Sequence, residues 1–156
     1  MYQKEFMLEA IALSKLCLKS GKGGPFGAVV VKDGKIVGRG SNHVTINNDP
    51  TAHAEVMAIR DACKNLNTFQ LTGCEIYTSC EPCPMCLGAI YWARPDRIYY
   101  AANKDDAADA GFDDSFIYEE IALPHLERTI PAIQKDREPA TETFKLWKEN
   151  TQKIEY

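Results

Sequence analysis

The chain has 156 residues, 45% apolar and 26% charged, with a formal net charge of −4. That length fits one domain able to bury a core without staples, and the composition is that of a soluble globule. The acidic balance argues against a protein whose main partner is a nucleic-acid backbone, although a local basic patch can sit on an acidic chain.

In chain order, residues 2–19 place Phe6, Ala10, Leu13 and Cys17 at helical spacing, and "GKGG" ends the helix. The opening "MYQKEFMLEA" carries early charge and no signal-like apolar stretch, and no apolar run reaches the length of a membrane span. A cytoplasmic address is expected. "PFGAVVVKDGKIVGRGSN" holds two β-rich runs around Asp33-Gly34, a strong hairpin signal. A second helix is predicted over 51–66, a buried strand over 74–79, a third helix over 84–93 with Pro84 in its first turn, and a strand over 96–102. Residues 103–120 look loop-like and acidic, and "LERTIPAIQK" suggests a short strand or an extended connection. A C-terminal helix is expected to open at Pro139. With no repeat or dividing linker, the expectation is a single α/β domain, 1–156, with helices on both faces of a central mixed sheet.

Six cysteines in a chain with that address point to metal binding, catalysis or burial rather than a disulfide framework. Cys17, Cys63 and Cys74 fall on apolar faces and read as core fillers. Cys83 and Cys86 form a C-x-x-C pair, and His53 lies thirty positions before Cys83. One imidazole and two thiolates meet the ligand count of a catalytic zinc, which keeps a fourth position open for water. Both groups start predicted helices, where the dipole favours thiolate. Glu55, two residues after His53, can take a proton from a water whose pKa zinc lowers to about 7 and return it to a leaving amine. The pattern H-x-E…P-C-x-x-C marks zinc nucleobase deaminases, and here it reads His53-Ala54-Glu55…Pro82-Cys83-Pro84-Met85-Cys86.

Blander readings compete. A redox pair has no use for His53 and Glu55. A structural zinc module would need a fourth ligand, which Cys80 could offer, closing the site. A catalytically dead partner subunit would have no need of Glu55.

"HAEVMAIRDAC" together with "TSCEPCPMCLGAIYWAR" resembles the cytidine-deaminase-like zinc superfamily over about residues 24–102. Beyond it, "AANKDDAADAGFDDSFIYEEI" is most similar to the small bacterial guanine deaminases. The resemblance implies a three-layer α/β/α sandwich, one Zn2+ per subunit, a homodimer, and hydrolysis of guanine to xanthine and ammonia. The rivals are a tRNA adenosine deaminase, then a cytosine or pyrimidine deaminase.

Three features bear on the substrate. Between Lys104 and Arg128 stand eight acidic residues and no Lys or Arg, which suits a free purine base better than a polynucleotide. Guanine presents donors at N1 and its exocyclic amine, which an acceptor-only carboxylate complements; by resemblance Asp114 takes that place and serves as a second proton relay as ammonia leaves. By resemblance too, Asn42 lies against the base, where its amide can both donate and accept. Phe26 is either a residue that stacks on or walls off the base or a core phenylalanine, the Ala54 backbone N–H is a candidate contact at the helix start, and Trp92 is either pocket wall or core. Thr143, Leu146, Trp147 and Ile154 make the end of the chain amphipathic. A helix docked on its own sheet is the plainer expectation for the segment from about 139 to 156; the competing hypothesis makes it a lid, over its own site or exchanged onto a neighbouring subunit's, with Tyr156 touching the substrate.

Overall fold

The computed structural model describes residues 1–21 and 23–156, apart from the Ser20 side chain. The first helix, α1 (Lys4–Ser20), stops at Gly21, whose φ of 64° is the left-handed cap expected of the "GKGG" run. Strands β1 (Gly27–Lys32) and β2 (Lys35–Ser41) pair antiparallel, and Asp33 and Gly34 both turn with positive φ, the geometry of a two-residue hairpin. A single turn, α2 (Val44–Asn47), precedes α3 (Ala54–Leu66). Strand β3 (Cys74–Cys80), helix α4 (Pro84–Ala93) and strand β4 (Arg97–Ala102) complete a β-α-β unit.

Strand order is β2-β1-β3-β4, antiparallel except for the β3–β4 pair, so the sheet is mixed as expected. Side chains alternate across β1 with the two-residue period of a strand. Val29 and Val31 meet Phe6 and Met7 of α1, with Tyr77 between them. Ala28 and Val30, with Ile76, meet Ala54, Ala58 and Ala62 of α3 and Ile90 of α4. Helices therefore cover both faces, giving the three-layer sandwich. The three alanines of α3 let that helix lie close on the sheet, and α4 packs on the same face. Their N-termini are thereby brought together. Cys17 and Cys74 are buried and Cys63 is packed against the second cluster, in line with a core-filling role.

Several boundaries differ from the sequence expectation. Residues 103–120 are not a loop: α5 (Lys104–Asp109) and α6 (Ser115–Ala122) lie there, the former closed by an Asn103–Asp106 capping box. Of the two forms expected for "LERTIPAIQK", the structure has the connection and not the strand: turns and bends lead into a stretch with no regular element. The last helix, α7 (Arg137–Glu149), starts two residues before Pro139 and ends seven before the C-terminus; proline is accommodated in its first turn, where N–H groups lack partners anyway. The chain forms two compact units, Met1–Asp114 and Ser115–Tyr156. Among the described residues, no helix is long and apolar enough to cross a membrane.

Candidate active site

His53 is the N-cap of α3 and Cys83 the N-cap of α4. Glu55 and Cys86 lie in the first turns that follow. Because both helices pack on one sheet face, the four side chains converge. The ligand atoms of His53, Cys83 and Cys86 all lie within 4.8 Å of one another. His53 Nδ1 is 3.6 Å from Cys83 Sγ and 3.4 Å from Cys86 Sγ. A tetrahedral zinc, with bonds of about 2.0–2.1 Å to nitrogen and 2.3 Å to sulfur, holds such donors roughly 3.5 Å apart. The residues present fit the ion. Cys80 falls outside the set; its thiol instead donates to the Asn103 carbonyl at 3.6 Å, and burial pushes it up to about 11. The closed four-ligand arrangement is not what these residues build.

The two thiols and the imidazole are coupled through shared hydrogen bonds. A hydrogen bond from the Cys86 thiol holds Cys83 down to about 4, with help from His53. Cys86 is pushed far up by that same hydrogen bond, by burial and by Glu55. His53 is raised by its hydrogen bond to Cys83. One thiolate, one shared thiol proton and one imidazole make a donor set that sheds protons when a divalent cation enters.

Glu55 is only 6% exposed, and burial lifts its carboxyl above the ordinary range. Its Oε2 accepts from the Cys86 thiol at 3.4 Å. A carboxyl this buried is costly to ionise without a cation nearby. Beside the three ligands, it is placed to hold a proton and release it.

In front of these groups opens a cavity of about 480 Å³, whose wall includes Phe26, Asn42, Thr45, Phe112, Asp113 and Asp114. Phe26 and Phe112 meet edge to face, centroids 4.9 Å apart. Asp114 is half-buried, and burial raises its carboxyl, with the Cys83 charge adding to the effect. Asn42 is buried, and its Oδ1 accepts from the backbone N–H of Gly24 at 3.1 Å and of Val44 at 3.3 Å. Both lone pairs of that oxygen are used, so the amide offers only its NH₂ as a donor.

Ala54 is fully buried, its methyl in the core at the start of α3, where first-turn N–H groups lack helical partners. Trp92 is 66% exposed on α4, so it is not core. Tyr156, in the unit Ser115–Tyr156, is exposed. Phe112, Thr45 and Glu81 line the cavity without having been singled out in the sequence. Only Phe112 left a signal, as an aromatic after Gly111 and two residues before Asp114.

The sandwich and the one-imidazole, two-thiol cluster define a zinc-dependent deaminase. The chain belongs to the family described as the cytidine and deoxycytidylate deaminase zinc-binding region, whose profile matches residues 1–102. It is 56% identical to the guanine deaminase of Bacillus subtilis (strain 168) over 156 residues, all of both chains. The crystal structure of the B. subtilis guanine deaminase superposes with a TM-score of 0.96, covering 100% of this chain and 99% of the other. A guanine deaminase structure from Nitrosomonas europaea shares 32% identity with a TM-score of 0.69, covering 72% of this chain and 65% of its own. The tRNA-specific adenosine deaminase of Aquifex aeolicus is 42% identical over 100 residues, 64% of this chain and 66% of that one.

Proposed function

We propose that this protein hydrolyses free guanine to xanthine and ammonia. What carries the reading is the span of the likeness: the guanine deaminase of B. subtilis matches from end to end, past the zinc-binding region. The A. aeolicus tRNA deaminase match covers 64% of the chain. Glu81, Asp113 and Asp114 on the cavity wall outnumber Lys104 there and add support, since a polynucleotide brings phosphates that acids repel.

His53, Cys83 and Cys86 would hold the zinc, which when bound makes a water acidic enough to ionise near neutral pH. The chain's own residues do the rest. Glu55 takes a proton from the water that adds to C2 of guanine and delivers it to the departing 2-amino group as the C2–N bond breaks. Asp114 accepts from the exocyclic amine and offers a second path for that same proton, so that one proton reaches the nitrogen, ammonia leaves, and C2 keeps the hydroxyl as a tautomer of xanthine. Asn42 donates through its NH₂ to an acceptor on the ring edge, such as a carbonyl oxygen. Where guanine carries that oxygen, adenine carries an amine, which a donor cannot address. Phe26 stacks on the ring, and the Ala54 N–H adds a contact at the start of α3.

The chain acts as one catalytic domain in a cytoplasmic homodimer. Among the described residues of Ser115–Tyr156 none is buried, and Phe144, Leu146 and Ile154 are each about two-thirds exposed. Apolar surface of that kind calls for a partner. A second copy supplies it, with the segment from about 139 to 156 exchanged and Tyr156 closing over the substrate.

The test is ammonia release from guanine, adenine, cytosine, guanosine and an anticodon-stem RNA. Guanine should be the substrate turned over. Release from the RNA with none from guanine would overturn the reading and leave the metal site standing.

A further inference from the structure

Part of the cavity wall is a strap of two glycines, Gly23 and Gly24, with no side chains to anchor it. Its amides reach instead for side chains of one segment: Gly24 N–H donates to Asn42 Oδ1 at 3.1 Å, and Gly23 N–H to Thr45 Oγ1 at 3.0 Å. Gly23 has φ of +82°, and a Cβ there would overlap the Asn42 carbonyl, so the strap lies directly on that segment. Phe26 is tied into the same ring of bonds. Its N–H donates to the Gly24 carbonyl at 2.9 Å, and its own carbonyl accepts from Asn42 N–H at 3.2 Å.

We propose that Thr45 is a positioning residue for the base-binding wall. Its hydroxyl fixes Gly23, which keeps the Gly24 N–H on Asn42 Oδ1. That bond leaves the Asn42 NH₂ as the group facing the substrate and holds Phe26 against the ring. Once the strap is loose, Val44 N–H alone holds the Asn42 oxygen, and a half-turn of the amide, which would offer an acceptor where the substrate needs a donor, is opposed by one hydrogen bond instead of two. Thr45 acts through Asn42 and Phe26 and touches no reacting atom. This inference rests on the guanine reading.

The test compares T45V, which removes the hydroxyl at nearly constant shape, with T45S, which keeps it, both zinc-loaded. Losing one neutral hydrogen bond should raise KM for guanine about two- to tenfold in T45V and leave kcat little changed. T45S should restore KM. Amide exchange at Gly23, read by NMR without substrate, should quicken in T45V and return to normal in T45S. Unchanged KM in T45V, or unchanged exchange at Gly23, overturns the role of Thr45 while guanine turnover by the unmodified protein still stands. No guanine turnover by the unmodified protein overturns the guanine reading instead, and the Gly23 exchange still judges the strap.

Discussion

Replacing Gly40 by alanine tests how the sheet sets the metal site. Gly40 is buried in β2, and an added Cβ would overlap the Ala54 carbonyl oxygen and the Ala58 amide nitrogen, well inside the 3.0 Å that real Cβ contacts respect. Both are backbone atoms of α3 and cannot swing aside. The start of α3 must retreat by roughly 1 Å to reach van der Waals contact, carrying His53 and Glu55 with it. Overpacking of this kind costs about 1–3 kcal/mol, or about 2–12 °C in Tm for a chain of this size. Metal ligands tolerate displacements of about 0.2 Å, so zinc affinity should fall by something like 10–100-fold as well. Gly88 is the matched control: it is exposed within α4 with nothing near its Cβ position. Alanine there should stabilise by about 0.5–1 kcal/mol. Thermal unfolding of the zinc-loaded proteins, with zinc retention measured against a competing chelator, reads both effects. A G40A protein that melts at the parent temperature and keeps its zinc would refute the close-packing account of the site.

Glu55→Gln should keep its zinc and lose at least about 10²-fold in kcat, the usual worth of a positioned acid-base group; full activity would remove Glu55 from the mechanism. Tyr77 is fully buried, accepts from Gln3 N–H, donates to Glu75 and is pushed up to about 12, chiefly by burial. A phenol raised on folding contributes stability that is whole below about pH 10 and lost as pH climbs toward 12. Tyr77→Phe should therefore show a shallower alkaline loss of stability than the parent in denaturant titrations from pH 9 to 12, and parallel curves would contradict this. Deleting the last seven residues, beyond α7, should impair guanine turnover while zinc content persists; unimpaired turnover would end the lid proposal.

The metal cluster was legible because its parts sit at fixed local offsets: His53 with Glu55, and Cys83 with Cys86, each pair at a helix start. The hairpin at Asp33-Gly34 and the bounds of α4 were legible for the same reason, being set by neighbours in sequence. Helix α2 escaped notice because four residues carry no periodicity. Helix α5 was hidden by acidic composition, its start being fixed by the Asn103–Asp106 box rather than by an apolar stripe. The one-way orientation of Asn42 depends on the Gly24 amide, eighteen residues upstream, which no local pattern announces. The Phe26–Phe112 pair joins segments still farther apart.

Zinc K-edge absorption on the purified, metal-loaded protein tests the hydrolytic centre most directly. The account predicts one zinc per chain with two sulfurs at about 2.3 Å, one imidazole nitrogen at about 2.0–2.1 Å and one light, exchangeable oxygen. A shell saturated by four sulfur and nitrogen donors, or protein that holds no zinc, would contradict it.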